Sequence, residues 1–192
     1  MKEVELSASL ADAGLTLLGM IDPATPLIPP TLATFASSCP EEGGVSFVTV
    51  SSAEPRLPEV ANFEWHRLSR EGGLFGEDNA DFLVAVNCAD ANSPKIWQWA
   101  KVRLSDDWDI VGAGAASGVL GNGACHPAFV MLSLDGNVIV RGDEGETSLD
   151  FTLVRDPHRN QTLRRRGEWM ASRPRTDEFT RAALERWLGS QK

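Results

Sequence analysis

Apolar residues recur along the first twenty positions at steps of three and four. Leu6, Leu10, Ala13 and Leu17 fall on one stripe, so the pattern predicts an amphipathic helix from Glu3 to Met20. Asp22-Pro23-Ala24-Thr25-Pro26 and Pro29-Pro30 end it, because proline lacks an amide donor and restricts the residue before it. A short helix from about Thr31 to Ser38 is expected next. After Gly43-Gly44 the pattern changes to that of a strand, with β-branched and aromatic residues from Val45 to Val50 bounded by turn formers. Further strands are predicted at Asn62 to Leu68 and Asp81 to Val86, and an extended run from Lys95 to Arg103 around Trp97 and Trp99. The turn-forming cluster Asn87 to Pro94 makes the last two a hairpin with a long loop.

Past Ser105, Asp106-Asp107-Trp108-Asp109 leads into an alanine- and glycine-rich stretch to Leu120, which reads as a loosely packed short helix. Phe129 to Leu134 and Val138 to Arg141 flank Asp135-Gly136-Asn137, whose residues tolerate the positive φ of a tight hairpin turn. Leu149 to Val154 makes one more strand. Thr176 to Leu188 closes the chain as a helix with Thr176 as N-cap and Gly189 as its stop. Hairpin-linked strands with helices at both ends of the chain predict an α+β fold with a mostly antiparallel sheet. A length of 192 residues suits a single domain, 1–192.

Composition adds little to that picture, but charge changes it. The net charge is -9, which disfavours attraction to nucleic acid or anionic lipid. The charge is unevenly spread. Arg155, Arg159, Arg164, Arg165, Arg166, Arg173 and Arg175 stand against only Asp156 and Glu168 in segment 155–175, so the rest of the chain is more acidic than its average. Glu3, Glu5 and Asp12 interrupt any export signal, and no run of about 18 apolar residues would span a membrane. Three well-separated cysteines, Cys39, Cys88 and Cys125, suit a reducing compartment, so a cytoplasmic location is expected.

Candidate chemistry is sparse. The glycines from Asp109 to Gly118 have the look of a dinucleotide loop, but only Ile110 and Val111 precede them as strand, and the helix that should follow would contain Gly121, Gly123 and Pro127. Cys125-His126 suggests a thiol nucleophile with its base, although adjacent residues rarely point so that the imidazole can take the thiol proton. A small hydrolase or transferase built on this pair is therefore the alternative reading. His66, His126 and His158 are scattered and no cysteine pair has zinc-site spacing, so no metal or cofactor is expected. Asp78, Asp81, Asp106, Asp107 and Asp109 belong to loops where clustered carboxylates can steer a basic partner. Arg164, Arg165 and Arg166, with Trp169 beside them, suit phosphates and a nucleic-acid adaptor role. An exposed loop neutralised by the protein's own acids is the simpler expectation.

Two stretches resemble the SUKH superfamily, whose bacterial members are largely immunity proteins that neutralise toxins. The first is Ile28-Pro29-Pro30-Thr31-Leu32-Ala33-Thr34-Phe35 followed by Glu42-Gly43-Gly44, similar to that family's proline-initiated helix and Gly-Gly turn. The second is Asp81 to Trp99, with Ala89-Asp90 before Ser93-Pro94 and Ile96-Trp97, which resembles its central hairpin. The resemblance covers roughly 27–120. It implies an α+β binding fold without catalysis and a protein partner, here a basic toxin met by an acidic surface.

Overall fold

The structure, a computed structural model, describes residues 3–41, 44–76, 79–88 and 96–190. Seven strands form one sheet: β1 (Leu15–Met20), β2 (Val45–Ser51), β3 (Asp81–Asn87), β4 (Trp97–Leu104), β5 (Phe129–Leu132), β6 (Val138–Glu144) and β7 (Ser148–Arg155). Their order is β1-β4-β3-β5-β6-β7-β2, and every pairing is antiparallel. The helices are α1 (Glu3–Asp12), α2 (Pro30–Ala33) running into a 3-10 turn at Thr34–Ser38, α3 (Leu57–Gly72), α4 (Gln161–Ser172) and α5 (Glu178–Gly189). A π-helical turn, Ile110–Gly114, follows β4. The architecture is α+β. Among the described residues no helix is long and apolar enough to cross a membrane.

The sheet is covered on both sides, and strand alternation divides the core in two. Phe82, Val84 and Val86 of β3 join α1, α3 and the π-helical turn in one apolar cluster. Leu83 and Ala85 of the same strand join α2, α4 and α5 in the other. Phe129 and Met131 of β5 face the first cluster, and Val130 and Leu132 face the second. Successive side chains on a strand point to opposite faces, so a strand buried on both sides reads as continuously apolar. That is the composition of β3, buried from Asp81 to Val86.

Several expectations change. The predicted Glu3–Met20 helix stops at Asp12, and Leu15–Met20 becomes the edge strand β1, paired with β4. The break is at Gly14, whose φ of +74° is left-handed, a region that other residues enter only at a cost. The predicted strand 62–68 is the middle of α3: Ala61, Trp65, Leu68, Ser69 and Gly72 are its buried positions, a stripe at helical spacing. Pro58 in its first turn and Gly73 with φ +86° after its end mark the helix boundaries. The basic segment 155–175 is no loop, since its centre is α4, with Leu163 and Gly167 turned to the core. The last helix is capped by Asp177, whose side chain accepts from the Thr180 N–H at 2.8 Å, and not by Thr176. Most of the predicted 87–94 loop lies outside the described residues. The 129–141 hairpin forms, with Gly136 at φ +77° in its turn.

Gly14 also supports the chain that follows β4. The Ser105 N–H donates to Gly14 O at 2.9 Å and Asp109 N–H to Ala13 O at 3.1 Å. A Cβ at Gly14 would meet the Asp107 carbonyl oxygen, and the Trp108 Cα at 2.6 Å. Gly14→Ala is expected to lower the denaturation midpoint by the equivalent of about 2 kcal/mol or more, from left-handed strain added to that clash. A chemical unfolding curve within about 0.5 kcal/mol of wild type would refute this account of the turn.

Candidate functional site

The 105–109 turn and α3 flank an open depression of about 400 Å³, lined by Pro58, Glu59, Asn62, Phe63, His66, Trp108 and Asp109. Its floor is aromatic. His66 stacks on Trp108 with ring centroids 5.1 Å apart and 18° between planes. Trp108 in turn meets the fully buried Trp65 edge-on at 5.3 Å. Phe63, 62% exposed, stands at the rim. An exposed phenyl ring at the rim of an aromatic hollow is the kind of apolar anchor on which binding energy concentrates. Burial and the neighbouring Arg70 charge hold the His66 imidazole below the ordinary histidine value, which favours the neutral ring suited to stacking.

One reciprocal pair joins the two walls. Asn62 Nδ2 donates to Asp109 Oδ1 at 2.6 Å, and Asn62 Oδ1 accepts from the Val111 N–H at 3.0 Å. The Asp109 carboxylate also accepts from the Gly112 N–H at 2.7 Å and the Ala113 N–H at 2.8 Å, capping the π-helical turn. Burial pushes this carboxyl up, but its hydrogen bonds from Ala113, Asn62 and Gly112 outweigh that and hold it below the usual carboxylate range. The glycine-rich loop is thereby explained: its amides are filled by Asp109, leaving no cradle there for a phosphate.

The other acidic residues separate. Asp106 and Asp107 are exposed beside the depression. Asp81 is turned inward, its side chain 3% exposed, with Arg103 Nε at 2.7 Å and Lys101 Nζ at 3.2 Å. The Arg103 hydrogen bond leads in holding its carboxyl low. Asp81 and Asp109 thus serve the fold, and neither offers a free carboxylate to a partner. Asp78 lies outside the described residues. Phe63 and His66 escaped the sequence reading because an alternating pattern around Trp65 passed for a strand.

Arg164, Arg165 and Arg166 lie on α4, on the opposite side of the sheet. Arg164 Nη1 donates to His158 O at 3.3 Å, and Arg165 is exposed. The Arg166 guanidinium sits 3.9 Å from the Phe35 ring centroid and 4.3 Å from that of Trp169. Among the described residues none of the three forms an ion pair. The expected pairing with the protein's own acids is therefore not found among the described residues. At Cys125, φ is +61°, and burial together with the Asp109 charge pushes the thiol up. His126 turns its Nδ1 to Glu144 Oε1 at 2.7 Å.

The chain matches no protein-family model, no curated protein and no solved structure.

Asp109→Ala leaves two amides and Asn62 without their acceptor and is expected to cost about 1–3 kcal/mol. Asn62→Ala should cost a similar amount, and the double variant clearly less than the two together, because they share one network. Additive losses in a double-mutant cycle would disprove the coupling. Asp81 and Asp109 have lowered folded values, so each contributes stability above the ordinary carboxyl value of about 4 that is lost as pH falls through the folded value. Acid unfolding of Asp109→Ala should accordingly be shallower than that of wild type. Cys125, with its thiol held protonated at neutral pH, is expected to react with a maleimide no faster than a free cysteine, and rapid selective labelling would revive the nucleophile reading.

Proposed function

We propose that this chain is a non-catalytic protein-binding module of the immunity type, which occludes a basic partner, a toxin in the first instance, with the acidic face around the Phe63–Trp108 depression. The observation that carries the reading is the composition of that face. Phe63 shares the lining of the depression with Glu59, which pairs with Arg56, and the exposed Asp106 and Asp107 precede Trp108 in the turn that walls it, on the side of the sheet away from the arginines of α4 and α5. Glu3, Asp12, Asp106 and Asp107 have no ion-pair partner among the described residues. An apolar centre with a charged rim is the usual anatomy of a specific protein interface. Unneutralised carboxylates at the rim speed encounter with a cationic surface and reject acidic ones.

The SUKH-like segments support the same reading, since the α+β architecture agrees with what that resemblance implies. The reduced-thiol composition favours action in the cytoplasm. Catalysis at Cys125 and His126 has less support, because the thiol is pushed up and the imidazole Nδ1 is engaged by Glu144.

Capture from host lysate on the immobilised protein, at low and high salt, tests the proposal. A basic protein retained at low salt and released at high salt is expected, with an on-rate that falls steeply as ionic strength rises. Phe63→Ala should weaken the purified pair by about 1–2 kcal/mol, chiefly through faster dissociation. Asp106→Lys with Asp107→Lys should slow association roughly tenfold at low salt and little at high salt. If both variants, shown folded by circular dichroism, bind the captured protein as wild type does, this face is not the interface.

A further inference from the structure

The arginines of the C-terminal segment play no part in that reading, and their arrangement has a chemistry of its own. From Arg155 to Ser190 the chain holds nine arginines, no lysine and five carboxylates, so this layer is positive although the protein is acidic. One of those carboxylates, Asp177, is spent capping α5. The arginines are also ordered by stacking. Phe35, Arg166, Trp169 and Arg173 form a ladder in which guanidinium and ring alternate, with ring-centroid distances of 3.9, 4.3 and 4.3 Å. Stacking fixes the guanidinium plane while leaving its N–H edge for an in-plane anion. Arg166 Nε is buried without an acceptor, and no carboxylate among the described residues pairs with Arg165, Arg166, Arg173 or Arg175. Beside the ladder lies an open depression of about 510 Å³, to which Ser38 and Thr162 add hydroxyl donors.

We infer that this face binds single-stranded nucleic acid, with the α4 arginines and the two hydroxyls on phosphodiester oxygens and the outer guanidinium face of the exposed Arg173, whose inner face lies on Trp169, against a base. The alternation of cation and ring matches a ligand that itself alternates anion and ring. An acidic peptide supplies charge without rings, and a duplex keeps its bases stacked away from Arg173. The net negative charge does not forbid this. The 105–109 turn and α4 cover opposite faces of the sheet, so Asp106 and Asp107 do not face a ligand held on α4.

Fluorescence anisotropy with a labelled single strand of roughly 12 nucleotides, as RNA and as DNA, tests the inference. Binding is expected at about 50 mM salt, weakening roughly 60-fold by 200 mM, as release of counterions from about four phosphates requires. Arg165→Glu with Arg175→Glu, two exposed side chains, should reduce affinity at least tenfold with the circular dichroism spectrum unchanged. Arg166→Lys, which keeps the charge and loses the stacking plane, should still cost about fivefold. Asp106→Lys with Asp107→Lys should leave this binding in place, which separates the result from that for the acidic face. No binding at 50 mM salt, equal binding of poly-glutamate or of the duplex, or an unaltered Arg165/Arg175 variant would each overturn it.

Discussion

An antiparallel sheet with helices on both faces cannot send alternate side chains to water, and this constraint governs the rest of the molecule. Along β3 and β5, odd and even positions alike are apolar, because each parity enters a different core. Charged side chains that the inner strands do carry pair with one another, as where Asp81 meets Arg103 and Lys101, and Arg141 meets Asp143. Nearly all ionised groups must be carried by the covering helices and the turns. Whichever face a helix covers, its charges go to that side. With α1 and α3 on one side and α4 and α5 on the other, the uneven charge of the sequence becomes a separation in space.

The aromatic depression follows from that placement and from two local devices. Gly14 allows the 105–109 turn to lie against the end of α1, which brings Trp108 over Trp65. The Asn62–Asp109 pair then fixes the turn to α3 and satisfies the amides of the π-helical turn with the same carboxylate. A buried polar network of this kind stabilises only if every member is satisfied, and here each oxygen has a donor. It leaves Phe63 outside, on the solvent side of a helix whose opposite stripe is fully buried, so its exposure follows from helix periodicity and not from loose packing.

Where the sequence was legible, one local signal sufficed. The apolar run of β3 and the Asp135-Gly136-Asn137 turn each announce their structure within a few residues. Where it was not, two signals competed. Residues 62–68 alternate large and polar side chains around Trp65, and only Pro58 and Gly73, at the helix ends, declare the turn-by-turn repeat of α3. The helical stripe of α1 continues past Gly14 into Leu17 by coincidence of spacing, and strand pairing with β4 decides the matter. Of the acidic residues, Asp106 and Asp107 could be read as exposed from their loop. Asp81 and Asp109 look the same in sequence, but the partners that claim them come from β4, α3 and the turn amides, which local spacing does not reveal.

The arginines make the reverse point. A loop would have let them reach the protein's own carboxylates, and that was the simpler expectation for so acidic a chain. Folding 161–172 as a helix instead pins them to the side of the sheet where α4 docks, through Leu163 and Gly167. The arginines of α4 repel one another and gain nothing from the carboxylates of the opposite layer, whereas on α3 Arg67 is paired with Glu64 and Glu71. An arrangement of that kind is intelligible when each layer meets a ligand of opposite sign, because the unpaired charge then contributes to encounter and affinity.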